Sequence, residues 1–222
     1  MGEVSALKNV RIRFEKKDSA RYISHLDMTR CVSRALKLSG LPVWYTEGFN
    51  PRIYMTYAMP LSLGMEGERE CMDIRLLEDV PFSEVVERLN SRLPKDIHIL
   101  SAADPIYDVK QIALAQYEMR LSAEDPGALL QKLTALLQRE SLPVMKHGKK
   151  GDKEIDIKQD FLSSRFTQTE DGVNVEISLP CSVLGSVNPG LLLDALQAFE
   201  GVRPYALIVR KGLLLADGTE FQ

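Results

Sequence analysis

At 222 residues, with 45% hydrophobic side chains and a net charge of −3, the chain is long enough to bury a substantial core as one large domain or two small ones. No run of about 18 apolar residues is present to span a bilayer, and the opening MGEVSALKNVRIRF lacks the regions of a secretion signal, so no membrane association and a cytoplasmic setting are expected. Cys31, Cys71 and Cys181 are too scattered for a disulfide framework, a zinc site or the CxxxCxxC triad of an iron–sulfur cluster, and are expected to pack as small hydrophobes.

Charge is unevenly spread along the chain. Between Lys8 and Arg52 ten Lys and Arg residues accompany four acids, whereas Ile53 to Asp104 holds five basic and ten acidic residues. The first segment is therefore +6 and the second −5, which keeps an anionic partner in view for a chain that is acidic overall.

Val10, Ile12 and Phe14 alternate with Arg11, Arg13 and Glu15, predicting a strand with one buried face. Ser24 is a suitable N-cap for a helix to about Ser39, with Met28, Cys31, Val32, Ala35 and Leu36 on one stripe and Gly40 as its stop. Val43 to Tyr45 and Ile53 to Met59 read as strand, interrupted by EGFNPR, and Cys71 to Leu77 alternates around Met72, Ile74 and Leu76. Pro81 opens a second helix to Leu93, with Phe82, Val85, Val86, Leu89 and Leu93 at helical spacing, and Ile97 to Leu100 closes as strand.

A linker from about Ala102 to Ala115 precedes a second run of the same order. Tyr117, Met119 and Leu121 alternate, and Asp125 caps a helix begun by Pro126 that carries Leu129, Leu130, Leu133, Leu136 and Leu137. Leu142-Pro143-Val144 opens an extended segment as Leu41-Pro42-Val43 does earlier, and KHGKKGDK, Lys146 to Lys153, reads as an exposed loop. Ile155 and Ile157 then Val173 to Leu179 read as strands, Asn188-Pro189 begins a helix with Leu192, Leu196 and Phe199 inward, and Tyr205 to Lys211 closes. Each half is βαββαβ, the split βαβ or ferredoxin-like order. The expected fold is α+β: two ferredoxin-like units in tandem, 1–103 and 104–222, each with two helices over one face of an antiparallel sheet.

On the first helix Asp27, Arg30, Arg34 and Lys37 lie opposite the apolar stripe. Two readings stay open for this ridge. One is a solvated face with Asp27 paired to the arginines. The other is a cluster suited to phosphate or carboxylate, with Arg30 and Arg34 joined by Arg11 or Arg13 from the strand and Arg52 from the corner. His25, in the first turn near the border of the apolar stripe, is either a structural histidine or a general acid or base. His98 and His147 read as structural, and no zinc-ligand spacing involves any histidine.

GFNPR is a turn with a mechanism: Gly48 permits positive φ, Asn50 can close an Asx turn and Pro51 enforces an extended exit. Phe49 and Arg52 beside it form a pair able to stack on and clamp a nucleotide. Tyr54, Met55, Tyr57 and Met59 suit sheet packing or, if exposed, stacking platforms. PLSLGMEGERE reads as a turn around Gly64 and Gly67, without the pattern of a phosphate loop.

VRIRFEKKDSARYISHLDMTRCVSRALKLSGLPVWYTEGFNPR, followed by PLSLGMEGERECMDIRL, resembles the radical-SAM-linked proteins, a conserved bacterial family of unknown function. SHLDMTR and GFNPR carry the likeness, which is strong over about the first 80 residues. It implies a non-enzymatic accessory protein of a radical SAM enzyme, with S-adenosylmethionine and the iron–sulfur cluster in the partner and no cofactor in this chain. Together with the basic segment, the expected role is RNA binding, ribosomal or transfer RNA being the class expected, through Arg11, Arg13, His25, Asp27, Arg30, Arg34, Phe49, Asn50 and Arg52. A protein-only contact with the radical SAM partner is the alternative. The tandem order is also similar to that of the CRISPR repeat-processing endoribonucleases, which implies metal-independent cleavage centred on His25 with Ser24, Tyr22 and Arg52; KGLLLADG, Lys211 to Gly218, is a weak echo of their glycine-rich loop.

Overall fold

The computed structural model describes residues 7–146 and 151–222. The chain is mixed α+β and divides into two compact units, Met1–Gln111 with Glu220–Gln222, and Ile112–Thr219. The division falls later than the 103/104 boundary read from the sequence, and the last three residues return to the first unit.

In the first unit the strands and helices follow in the order β1 (Lys8–Lys16), α1 (His25–Leu38), β2 (Met55–Tyr57), β3 (Glu66–Leu76), α2 (Phe82–Asn90) and β4 (Ile97–Ala103). Hydrogen bonding sets the sheet order as β4-β1-β3-β2 with every pair antiparallel. Val10, Ile12 and Phe14 of β1, Met72, Ile74 and Leu76 of β3, and Ile97 and Ile99 of β4 share one core with Met28, Val32, Ala35 and Leu36 of α1 and Val85 and Leu89 of α2. Both helices thus cover one sheet face. Because side chains alternate along a strand, Arg11 and Arg13 point to the other.

The second unit holds β5 (Ile112–Ser122), α3 (Pro126–Gln138), β6 (Pro143–Lys146), β7 (Lys153–Asp156), α4 (Lys158–Phe161), β8 (Arg165–Gln168), β9 (Gly172–Ser182), β10 (Gly185–Ser186), α5 (Leu191–Glu200) and β11 (Tyr205–Leu215). Its main sheet runs β11-β5-β9-β8, again antiparallel throughout, with β10 also on β9. β6 and β7 form a separate hairpin. The strand pairing with β9 is therefore not the Ile155 segment expected from the sequence but β8, whose exposed Arg165, Thr167 and Gln168 conceal it. Ile157 instead precedes the single turn α4.

Three further expectations are corrected. The linker is shorter, since β4 extends to Ala103 and β5 begins at Ile112. GMEGERE is mostly strand: Gly64 has φ +85 and turns the chain, but Gly67 lies buried within β3. A Cβ on Gly67 would meet the Glu70 side chain at 2.5 Å, so glycine is there for space. Lys211 to Leu215 of KGLLLADG belongs to β11, leaving only the turn at Gly218, so no glycine-rich loop is formed. His147 and the centre of KHGKKGDK lie outside the described residues; Lys146 and Lys153, which flank it, are exposed partners at the end of the β6–β7 hairpin.

Candidate nucleic-acid interface

Ser24 starts α1 as the sequence requires: its Oγ accepts from Asp27 N (3.1 Å) and its hydroxyl donates to Asp27 Oδ2 (2.7 Å). That bond, then Arg30 Nη1 donating to Asp27 Oδ1 (3.0 Å), holds the Asp27 carboxyl below its ordinary pKa. Burying Met28, Val32, Ala35 and Leu36 fixes the rotation of α1. It follows that Leu26, Thr29, Arg30, Ser33, Arg34 and Lys37, spaced three and four apart, form one outward stripe.

Facing that stripe is the segment containing GFNPR, which is a narrow hairpin. Val43 bridges Leu76 and Tyr45 bridges Ile53, in place of the longer strands expected there. Thr46 N donates to Arg52 O (2.8 Å), Arg52 N donates to Thr46 Oγ1 (3.1 Å) and Tyr54 N donates to Trp44 O (3.0 Å). Thr46, rather than an Asx turn at Asn50, closes the corner; Asn50 is exposed. Buried Val43 and Ile53 anchor the stem in the core. Trp44 and Tyr54 pack together at 5.7 Å, with the Arg75 guanidinium 4.1 Å from the Tyr54 ring. Gly48 at the tip has φ +118, and Phe49 after it is 99% exposed.

Between α1 and this hairpin runs a groove of about 610 Å3 lined by Arg30, Arg34, Lys37 and Arg52, with Leu26, Pro51 and Ile53 among its walls. No carboxylate lines it. Arg30 spends one nitrogen on Asp27, while the side chains of Arg34, Lys37 and Arg52 have no hydrogen-bond or ion-pair partner among the described residues. SHLDMTR and the two turns of α1 that follow it supply one wall, and GFNPR with Ile53 the other.

Arg11 and Arg13 do not join this surface. Arg11 is 3% exposed and fully engaged: Nε and Nη2 donate to Asp73 Oδ1 and Oδ2 (2.8 and 2.9 Å), and Nη1 donates to the main-chain oxygens of Tyr107 (2.8 Å) and Gln222 (3.0 Å). The Phe221 ring lies 4.2 Å from its guanidinium. Arg13 pairs with Glu220, which Arg69 also reaches at 3.0 Å, and Arg13 Nε is buried without a partner. Both arginines serve the sheet face opposite α1, where the chain's last three residues cover them.

His25 is exposed and sets its ring edge-on to Tyr57 at 5.0 Å. The two rings border a cavity of about 20 Å3 shared with Phe14, Lys16, Met28, Leu61 and Glu70. Lys16 and Glu70 are buried there: Lys16 continues the inward alternation of Val10, Ile12 and Phe14, and Gly67, in a stretch of β3 that carries one residue more than β1 opposite it, makes room for Glu70. Burial pushes the Tyr57 phenol above its ordinary range. Thr29, whose hydroxyl donates to the His25 carbonyl (2.9 Å), lies beside that phenol, and the buried Tyr57 hydroxyl makes no well-formed hydrogen bond. Of the other residues in the endoribonuclease likeness, Ser24 is spent on capping and the Tyr22 hydroxyl accepts from Arg21 Nη2 (2.8 Å). Among the described residues no group of three or more His, Cys, Asp or Glu can hold a metal ion, and no helix is long and apolar enough to cross a membrane.

The model of one protein family matches residues 9–189. The chain belongs to DUF2344, uncharacterised proteins conserved in bacteria. The match to DUF2344 takes in both walls of the groove and most of the second unit. No curated protein matches the chain. Among solved structures it is similar to an unknown protein from Galdieria sulphuraria, at 12% identity over 93% of this chain and 98% of that one, with a TM-score of 0.27. It is similar also to a "putative glycine cleavage system transcriptional repressor", at 17% identity over 93% and 100%, with a TM-score of 0.25. Neither overlay is close enough to define the topology, which rests on the strand registers.

Proposed function

We propose that this DUF2344 protein is an accessory, RNA-binding partner of a radical SAM enzyme, built from two ferredoxin-like units of which the first carries the binding groove. One observation supports it most: the two motifs that carry the family resemblance, SHLDMTR and GFNPR, meet at a single groove bearing four cations, Arg30 and Arg52 from the motifs and Arg34 and Lys37 from the rest of α1, and no carboxylate. The guanidinium groups of Arg34 and Arg52, held without internal partners, suit phosphate, which they can meet with paired hydrogen bonds. The radical SAM association follows from the resemblance, and the partner would supply the S-adenosylmethionine and the cluster. Ribosomal or transfer RNA is the expected class.

The test is binding of the purified chain to labelled structured RNA across a salt series, for the native chain and for Arg30→Glu with Arg52→Glu. If the four cations neutralise one phosphate each, log affinity falls with log salt at a slope of about −3 to −4, a loss of about 50- to 150-fold between about 50 and 200 mM. The double variant then loses at least half the slope. Negligible binding of both chains at low salt overturns the RNA reading and leaves the radical SAM protein itself as the ligand of the groove.

A further inference from the structure

We propose that the groove takes an unpaired RNA strand rather than a duplex, with a base stacked on Phe49 and the adjoining phosphates against Arg30, Arg34, Lys37 and Arg52. This rests on the RNA reading above and goes beyond it to the class of RNA.

Phe49 carries the inference. A phenyl ring 99% exposed has a cost in water unless something covers it, and nothing in the fold needs it there. Its position is fixed from below: Val43 and Ile53 hold the stem in the core, Thr46 and Arg52 close it, and only then does Gly48 turn the tip outward. A ring on an anchored stem loses little freedom when a flat partner stacks on it. Three residues on is Arg52, a lining residue of the groove, and the closed corner keeps its backbone less than about 10 Å, the span of three extended residues, from that of Phe49.

The groove itself argues against a duplex. In A-form RNA the bases are stacked inside and the major groove is too narrow for side chains, so Phe49 would find no base face. A duplex is also met through phosphates spread over a broad convex surface, whereas these four cations line one concave channel. Leu26, Pro51 and Ile53 among them provide apolar wall that suits a sugar or base edge and gives nothing to a phosphate. A positive groove that tracks one backbone beside an aromatic ring is the arrangement by which single strands are held.

The experiment uses the full chain with an unstructured RNA of about 12 nucleotides, within the span such grooves bind, and with the same strand annealed to its complement. The unpaired strand is expected to bind more tightly at equal salt. Phe49→Ala should weaken it by about 5- to 150-fold, the fold-change equivalent of one base stack, with the salt slope unchanged, and Phe49→Trp should restore it. Because the ring is exposed, neither variant threatens folding. Equal binding of strand and duplex, or an unpaired strand indifferent to Phe49→Ala, overturns this inference while leaving the RNA reading intact. Failure of both RNAs to bind at about 50 mM salt removes the RNA reading itself.

Discussion

Arg11 offers a severe test of how the first unit is held together. Its guanidinium, 3% exposed, is held by the Asp73 carboxylate through two bonds and by the main-chain oxygens of Tyr107 and Gln222. Asp73→Asn leaves the buried cation without its countercharge, and breaking a buried pair from one side costs about 3–5 kcal/mol. The Asp73 side chain is 26% exposed and two main-chain oxygens remain on the guanidinium, so the cost is set at the lower end, about 3 kcal/mol. Replacing both partners, Arg11→Met with Asp73→Leu, removes the stranded charge as well as the bond. The double variant should therefore be more stable than Asp73→Asn by at least about 1 kcal/mol, although the Tyr107 carbonyl loses a donor. Urea unfolding followed by the fluorescence of Trp44, the single tryptophan, which lies in the same unit, measures both. If the double variant is no more stable than Asp73→Asn, or if Asp73→Asn costs less than about 1 kcal/mol, Arg11 is not the buried, countercharged centre of this sheet face.

Gly67→Ala places a methyl 2.5 Å from Glu70 Oε1 and 2.6 Å from its Cγ, and Glu70 is buried, so the substitution should cost about 1–3 kcal/mol; an unchanged urea midpoint refutes it. Burial, reinforced by Glu70, pushes the Cys71 thiol up to about 12. About one Cys71 in ten thousand is then thiolate at pH 8, and native alkylation should be very slow until urea is added; rapid native labelling contradicts the burial. Asp156 Oδ1 accepts from Leu142 N (2.8 Å) and Lys158 N (2.9 Å), and these two bonds hold its carboxyl below the ordinary 3.8. Because the folded pKa is the lower one, its stabilisation is fully present above about pH 4 and is lost as the pH falls through the folded value. Amide-exchange protection of Leu142 and Lys158 should follow that profile, and Asp156→Ala should abolish the dependence; a variant that keeps it refutes the assignment.

Local signals carried well into the structure where burial follows period. The caps at Ser24 and Asp125, the stripe Met28, Val32, Ala35 and the alternation of Val173 to Leu179 each appear as read. Arg11 was misplaced because alternation with Val10 and Ile12 shows only that it faces away from the helices. What covers it, Phe221, lies at the far end of the chain and has no local signature. Short edge strands were the other blind spot, since β8 needs only backbone partners on one side and three of its four side chains, Arg165, Thr167 and Gln168, are polar and exposed. Alternation puts Lys16 in phase with Val10, Ile12 and Phe14, but a lysine there reads as the exposed end of the strand, and the burial of Glu70 depends on the space left by Gly67, which is a tertiary fact. The groove was half legible: spacing predicted that Arg30, Arg34 and Lys37 share a face, but not that the GFNPR hairpin folds back beside them.

The two units provide an internal control for the groove. Counted from their N-caps, Met28, Val32 and Ala35 of α1 correspond to Leu129, Leu133 and Leu136 of α3, and all six are buried. Each helix is followed by Leu-Pro-Val and a hairpin, Val43 and Val144 both being buried. At the positions of Arg30, Arg34 and Lys37, however, α3 has Gln131, Ala135 and Gln138. The shared architecture therefore needs the apolar set and does not need the cations. A helix face kept merely soluble can be Gln, Ala and Gln, as the second unit shows. Giving α1 those residues, Arg30→Gln with Arg34→Ala and Lys37→Gln, should accordingly change stability by no more than about 0.5 kcal/mol per exposed site. The same triple variant should flatten the salt dependence of RNA binding by about 2, from about 0.7 per lost phosphate contact. If instead the protein unfolds, the cations are structural after all; if RNA affinity and slope are untouched, phosphate is not what they meet.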